Sequence, residues 1–249
     1  MPIVKTELEW PYKPADFFED PYHWQTAEYT LVADAGVVLV TLSTPSDPID
    51  AGLQDRITKK VKDLFLIRQL LIHRTFELEP MRVYQHAPNG KKAISIGLDG
   101  VLAFVGAGQC DVVVRDASGA VVQDTKSERI AEHTKFIDSM MPKLARSPEL
   151  MALLQSYKDA VDDPDKELAH LYDIIDALGR YYHGQHKARR KLPITKTDWS
   201  RLGELANDAP LKEGRHRGRH SKLRHATTAE LNEARTIARQ IITAFANQV

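Results

Sequence analysis

The stretch GAVVQDTKSERIAEHTKF, residues 119–136, is where the chain changes character. Ahead of Asp124 the β-branched pair Val121–Val122 closes a strand. After it, Thr125 and Glu128 have the Thr-x-x-Glu spacing of a capping box and open a helix. Strand patterning lies upstream and capped helices lie downstream. The fold class is therefore α+β, an N-terminal antiparallel β-rich domain with one long helix over residues 1–125, followed by a C-terminal all-α helical bundle over residues 126–249.

Upstream, Tyr29 to Leu42 holds the run VVLVTL and a turn signal at Asp34 to Gly36, which predicts a two-strand hairpin. From Ile49, the residues Leu53, Ile57, Val61, Leu64 and Leu71 recur at helical spacing and predict one amphipathic helix ending near His73. Lys59, Lys60 and Lys62 lie between them and read as a solvated face. Strands resume at Phe76 to His86 and Ala93 to Leu98, joined across Asn89-Gly90. A further hairpin pairs Cys110 to Arg115 with Ala120 to Gln123. The first 28 residues, rich in proline and aromatics with no clear period, read as an arm packed against the body.

Downstream, the helix from Thr125 is expected to stop near Pro142. Ser147-Pro148 and Asp163-Pro164 each place a capping side chain before a proline at the first helical position. Leu168, Leu171, Ile175, Leu178 and Tyr182 form an apolar stripe. A short helix around Trp199 to Ala206 follows, and Thr227 with Glu230 caps a last helix that buries Leu231, Ile237, Ile241 and Phe245. Five helices with short connections suit an up-and-down bundle.

Composition bounds the function classes. No apolar run approaches the ~18 residues of a membrane-spanning helix, and the N-terminus MPIVKTELEWPYKP does not read as a secretory leader. A cytoplasmic protein is the expectation. The single cysteine, Cys110, reads as a core thiol. There is no Walker loop, and Gly106 and Gly108 lack the third glycine of a dinucleotide fingerprint, so no cofactor is implied. His183 and His186 read as a polar helix end and not as metal ligands.

The net charge of zero hides a segregation. Arg180 to Arg224 holds 13 Lys/Arg against four acids, and five of the ten histidines fall between His183 and His225. The densest part is Arg215-His216-Arg217-Gly218-Arg219-His220, continuing to Lys222, Arg224 and His225. Guanidinium forks match phosphate oxygens, and imidazole titrates near neutrality, so the mixture suits a phosphodiester as ligand and as substrate. The run also leads into the N-terminus of the last helix, which favours anions.

A helical bundle with an arginine, a polar residue and a histidine in the spacing Arg-x4-6-His near the start of its last long helix resembles the HEPN superfamily. Arg215 to His220 fits with His216 in the polar position, and Arg219 to His225 fits with His220 there. The phrase GRHRGRH is also similar to uncharacterised bacterial and phage-borne proteins of the HEPN branch of antiviral defence. The resemblance implies a metal-independent ribonuclease, a toxin-like or defence setting and a homodimer. In that reading Arg215, His220 and His216 are catalytic, while Arg217, Arg219, Lys222, Arg224 and His225 bind RNA. The N-terminal domain would take a regulatory protein partner or set the substrate. Two rivals remain: a non-catalytic dimeric interaction module whose basic loop holds nucleic acid or an acidic protein, and an enzyme whose Arg215, Arg217 and Arg219 line a pocket for a small phosphorylated molecule.

Overall fold

A computed structural model describes residues 3–46, 48–88, 92–96, 111, 113–115, 118, 120–215 and 222–249. The chain divides into two units, Met1–Phe65 with Arg74–Phe136, and Leu66–His73 with Ile137–Val249. The first carries an antiparallel sheet and the second is helical. No helix among the described residues is long and apolar enough to cross a membrane.

The sheet strands are β1 (Lys5–Lys13), β2 (Tyr22–Gln25), β3 (Tyr29–Asp34), β4 (Val37–Leu42), β5 (Glu77–Leu78), β6 (Arg82–His86) and β7 (Lys92–Ile96). Their order is β2-β3-β4-β1-β6-β7, with β5 also pairing β1. The N-terminal arm of the sequence reading is thus corrected: β1 is a central strand. Leu8, Trp10 and Tyr12 alternate inward, a period of two that Pro11 obscures. The proline is accommodated because β6 pairs β1 only as far as Glu9 and β5 begins at Tyr12, leaving Pro11 between them. Its carbonyl accepts the Glu79 N–H at 2.8 Å, and its missing N–H faces the same side, away from the β4 ladder.

Opposite residues share a face, so Leu8, Val40 and Leu31 line up across three strands, as do Trp10, Val38 and Ala33, all buried. Helix α1 (Ala51–Ile72) meets this face through Phe65. The Asp50 carboxylate caps it, accepting the Leu53 N–H at 2.7 Å. Phe65 meets Tyr12 edge-on at 5.1 Å between centroids and stacks on Phe17 at 5.3 Å. Lys59 pairs with Asp63 and Lys60 lies 3.8 Å over the Trp24 ring, so these two lysines serve their own unit. The Tyr29–Leu42 hairpin forms with Ala35 and Gly36 at positive φ in its turn. The expected strand from Phe76 is interrupted before Arg82, where Pro80 removes a donor. Strands β8 (Val113–Arg115) and β9 (Val121–Asp124) form a separate two-stranded ladder. Asn89, Gly90, Cys110 and Gly119 lie outside the described residues.

The helices that follow are α2 (Thr125–Leu144), α3 (Pro148–Asp162), α4 (Glu167–Tyr181), α5 (Gln185–Lys191), α6 (Lys196–Gly203) and α7 (Thr228–Ala246). Helix α4 packs on α3, α5, α6 and α7 and is the hub of the helical unit. Ser147 caps α3 and the Thr227/Glu230 capping box closes α7 as expected. Other expectations are corrected. The cap of α2 is Asp124, whose carboxylate accepts the N–H groups of Lys126 and Ser127 at 3.1 Å, one residue ahead of Thr125. Helix α2 does end near Pro142 as expected, at Leu144, with Met140, Met141 and Leu144 buried in its last turns. Asp163 heads a 3-10 turn, Pro164–Lys166, ahead of α4 and makes no side-chain cap bond there. Helix α4 ends at Tyr181, with His183 and Gly184 both at positive φ, so His183 and His186 flank a break and do not share a helix face. Leu231 is half-buried, while Ile237, Ile241 and Phe245 are buried.

A charged cluster is built into this unit's core. Glu167, 2% exposed, accepts from Arg235 Nε and Nη2 at 2.6 and 2.7 Å. His73 at the end of α1 reaches Tyr157 Oη with Nδ1 at 3.1 Å and Glu167 Oε1 with Nε2 at 3.5 Å. Burial, then the Arg235 and Arg239 charges, push the imidazole down to about 3. Glu167 does not reverse this, because Arg235 already balances its charge. His73 is therefore neutral in the folded chain at neutral pH, whereas an unfolded histidine titrates near pH ~6.5. As pH falls from ~6.5 towards 3, the unfolded state binds a proton that the folded state refuses, and stability falls by up to about 1.4 kcal/mol per pH unit from this group. His73→Asn, which tolerates the left-handed backbone, should make the urea midpoint fall less steeply than wild type between pH 6 and 4. Parallel slopes would show that His73 does not set the dependence.

Candidate nucleic-acid interface

The basic segment is anchored at both described ends. Leu211 and Arg224 bridge in parallel, with the Arg224 N–H donating to Pro210 O at 2.9 Å and the Lys212 N–H to Arg224 O at 3.0 Å. Residues 211–213 and 224–226 therefore run together ahead of α7. The Glu213 N-terminal neighbourhood of α4 is fixed by the Ala169 N–H donating to Glu213 O at 3.1 Å. His216, Arg217, Arg219 and His220 lie outside the described residues.

The described basic side chains meet internal acids. Arg224 makes a two-point bond to Glu230 at 2.8 and 2.6 Å, and Arg224 first, then the Thr227 N–H, hold the Glu230 carboxyl at about 2. Arg215 donates to Asp176 Oδ2 at 2.5 Å and lies 4.8 Å over the Tyr172 ring. This bond holds the Arg215 guanidinium charged more firmly than usual. Lys222 is exposed. His225 sits between Glu213 Oε1, 2.9 Å from Nδ1, and Lys212 Nζ, 3.0 Å from Nε2. A protonated lysine has only donors, so Nε2 accepts, Nδ1 carries the proton, and that proton goes to Glu213. Burial lifts the Glu213 carboxyl, but the bonds from His225 and from the Ala226 N–H outweigh it and leave it below its ordinary range.

Tyr172, over which Arg215 lies, also lines a cleft of about 440 Å³ between α4, α5 and α6, together with Gln185, His186, Arg189, Trp199, Asn207 and others. Gln185 Nε2 donates to Tyr172 Oη at 3.3 Å and to Asp176 Oδ1 at 3.4 Å, joining the cleft to the carboxylate that holds Arg215. One wall is a π-helical turn, Glu204–Asp208, which follows α6. That turn leaves the Ala206 carbonyl to accept the Arg215 N–H at 2.8 Å, so the first basic residue hangs from the cleft wall. Among the described residues, no group of three or more His, Cys, Asp or Glu side chains is arranged to hold a metal ion.

The chain matches no family model, no curated protein and no solved structure. Of the residues expected from sequence, the structure describes Arg215, Lys222, Arg224 and His225: Arg215 is held on α4 by Asp176, Arg224 at the start of α7 by Glu230, His225 by Glu213, and Lys222 is exposed. Tyr172, Asp176, Gln185, Arg189 and Asn207 were missed. They carry no motif, and only the packing of α5 and the π-helical turn against α4 brings them together; of α5 the sequence offers only His186, which with His183 reads as a polar helix end.

Gly214 has a steric reason that the sequence does not disclose. A Cβ there would lie 2.8 Å from the Ala206 carbonyl oxygen, closer than backbone atoms tolerate. Gly214→Ala should destabilise the chain by about 1–3 kcal/mol, read as a lower urea midpoint. An unchanged midpoint would mean that residue 214 does not rest on the π-helical turn.

Proposed function

We propose that the helical unit, a bundle of HEPN-like type, binds single-stranded RNA through its basic segment and the cleft beside it. The observation that carries this reading is the pairing of Leu211 with Arg224, which closes the base of an Arg/His-rich segment next to a cleft lined by Arg189 and His186. Arg189 and His186 have no acidic partner within ion-pair distance among the described residues, unlike Arg215 and Arg224. Phosphate contacts from such side chains make affinity fall with salt, by about 0.7 in log K per log salt for each phosphate neutralised on a single strand. Replacing Arg217, Arg219 and Lys222 together by Ala should lower that slope by about 2, measured by fluorescence anisotropy on labelled single-stranded RNA. An unchanged slope would move the interface off this segment.

A second reading, metal-independent RNA cleavage in a defence or toxin-like setting, is favoured by the Glu213–His225–Lys212 arrangement. A neutral imidazole whose Nδ1 proton is held by a carboxylate offers Nε2 as a base, which could take the ribose 2′-hydroxyl proton once Lys212 moves aside. This supports the Arg219–His225 pair over Arg215–His220, since Asp176 already balances Arg215 and weakens it as a stabiliser of developing negative charge. Wild type should cut labelled RNA, but not DNA, in excess EDTA. His225→Ala should abolish cleavage, and His220→Ala should do so if the other pair acts. Full activity in both folded variants would overturn cleavage by this segment; an intact RNA substrate would leave binding alone.

A further inference from the structure

We infer that the outward face of α5 and the Tyr181 ring that precedes it form a contact for single-stranded RNA in addition to the basic segment. The inference rests on the RNA-binding reading and names a further place where the strand is held. The stretch HGQHKARRKL, residues 183–192, contains no acid. Its helix, α5, spans seven residues, and Ala188 and Leu192, four apart, are buried. Gln185, His186 and Arg189 line the cleft, and the acids Glu204 and Asp208 lie on that side. Lys187, Arg190 and Lys191 stand at i, i+3 and i+4 on the remaining face, and all three are exposed. Among the described residues neither these three nor Arg180, in the last turn of α4, has an acidic partner, whereas Arg201, Arg215, Arg224 and Arg235 each hold one. The helix dipole favours cations in a last turn, but like charges at these spacings repel. A polyanion laid along the face relieves that repulsion.

An aromatic ring is tied to the same helix. His183 and Gly184, both at positive φ, turn the chain back, and the Gly184 N–H donates to Gly179 O at 2.7 Å. Tyr182 Oη donates to Gln248 Oε1 at 2.7 Å, and Gln248 Nε2 donates to the Lys191 carbonyl, so one glutamine joins the end of α4 to the end of α5. Tyr181 packs edge-on against Tyr182 and Phe245, at 4.9 and 5.2 Å between centroids, and is still 43% exposed. A ring held by two neighbours and open to solvent is a stacking platform for a base, and the cations of α5 suit the phosphates. Stacking needs an unpaired base, which favours a single strand over a duplex. A membrane surface fits less well, since the apolar residues of α5 are buried and leave no apolar face to insert.

The test uses the full chain and anisotropy on a labelled single-stranded oligoribonucleotide. Lys187→Gln, Arg190→Gln and Lys191→Gln together should lower the salt slope by about 2, with an unchanged or higher urea midpoint because a self-repelling cluster is removed. Tyr181→Leu should weaken binding about tenfold and leave the slope unchanged, while Tyr181→Phe keeps wild-type affinity. Circular dichroism checks the fold of each variant. A wild-type slope in the triple variant, or wild-type affinity in Tyr181→Leu, overturns this contact and leaves RNA binding to the basic segment. Absence of RNA binding by the wild type overturns both readings. Sedimentation with phosphatidylserine vesicles in place of RNA binding would assign the face to anionic lipid, and displacement of bound RNA by poly-glutamate as readily as by unlabelled RNA would show that no base is stacked; either result overturns the inference.

Discussion

The two-point bond between Glu167 and Arg235 is the constraint on which the helical unit depends. It ties the first turn of α4 to α7 with a carboxylate almost wholly removed from water. Removing one partner of such a pair leaves an uncompensated buried charge, at a cost of about 3–5 kcal/mol. His73 and Tyr157 complete the cluster, so the end of α1 and the middle of α3 are set by the same carboxylate. Helix α4 then carries Tyr172 and Ile175 to the cleft, while α7 begins at the capping box on which the basic segment ends. Interface and core are thus successive stretches of the same two helices.

Charge counted along the sequence differs from charge offered to a ligand. Arg201 faces Glu204 and Glu233, Arg215 faces Asp176, and Arg224 faces Glu230. These guanidiniums hold parts of the helical unit together, and their attraction for an external anion is reduced by the acids they already hold. A balanced frame also limits self-repulsion in a region of such dense positive charge, which would otherwise oppose compaction.

Much of the fold was legible because it follows local rules. The β3–β4 hairpin announced itself by period and turn, α1 by its apolar spacing, and the starts of α3 and α7 by their caps. What failed was decided at longer range. Pro11 hid a central strand, since only the neighbouring strands reveal that its missing donor has no ladder to serve. The basic segment was visible as composition, yet the cleft was not, because its walls come from three helices whose approach no motif encodes.

The closure between Leu211 and Arg224 relies on main-chain groups, whose bonds any residue type other than proline at a donor position can reproduce. Substitutions at Leu211, Lys212 or Arg224 therefore leave these bonds available unless proline enters at Lys212 or Arg224, the two donors. The clasp is thus held by chain geometry and is nearly blind to side-chain chemistry, so it constrains the path of the chain without fixing its sequence.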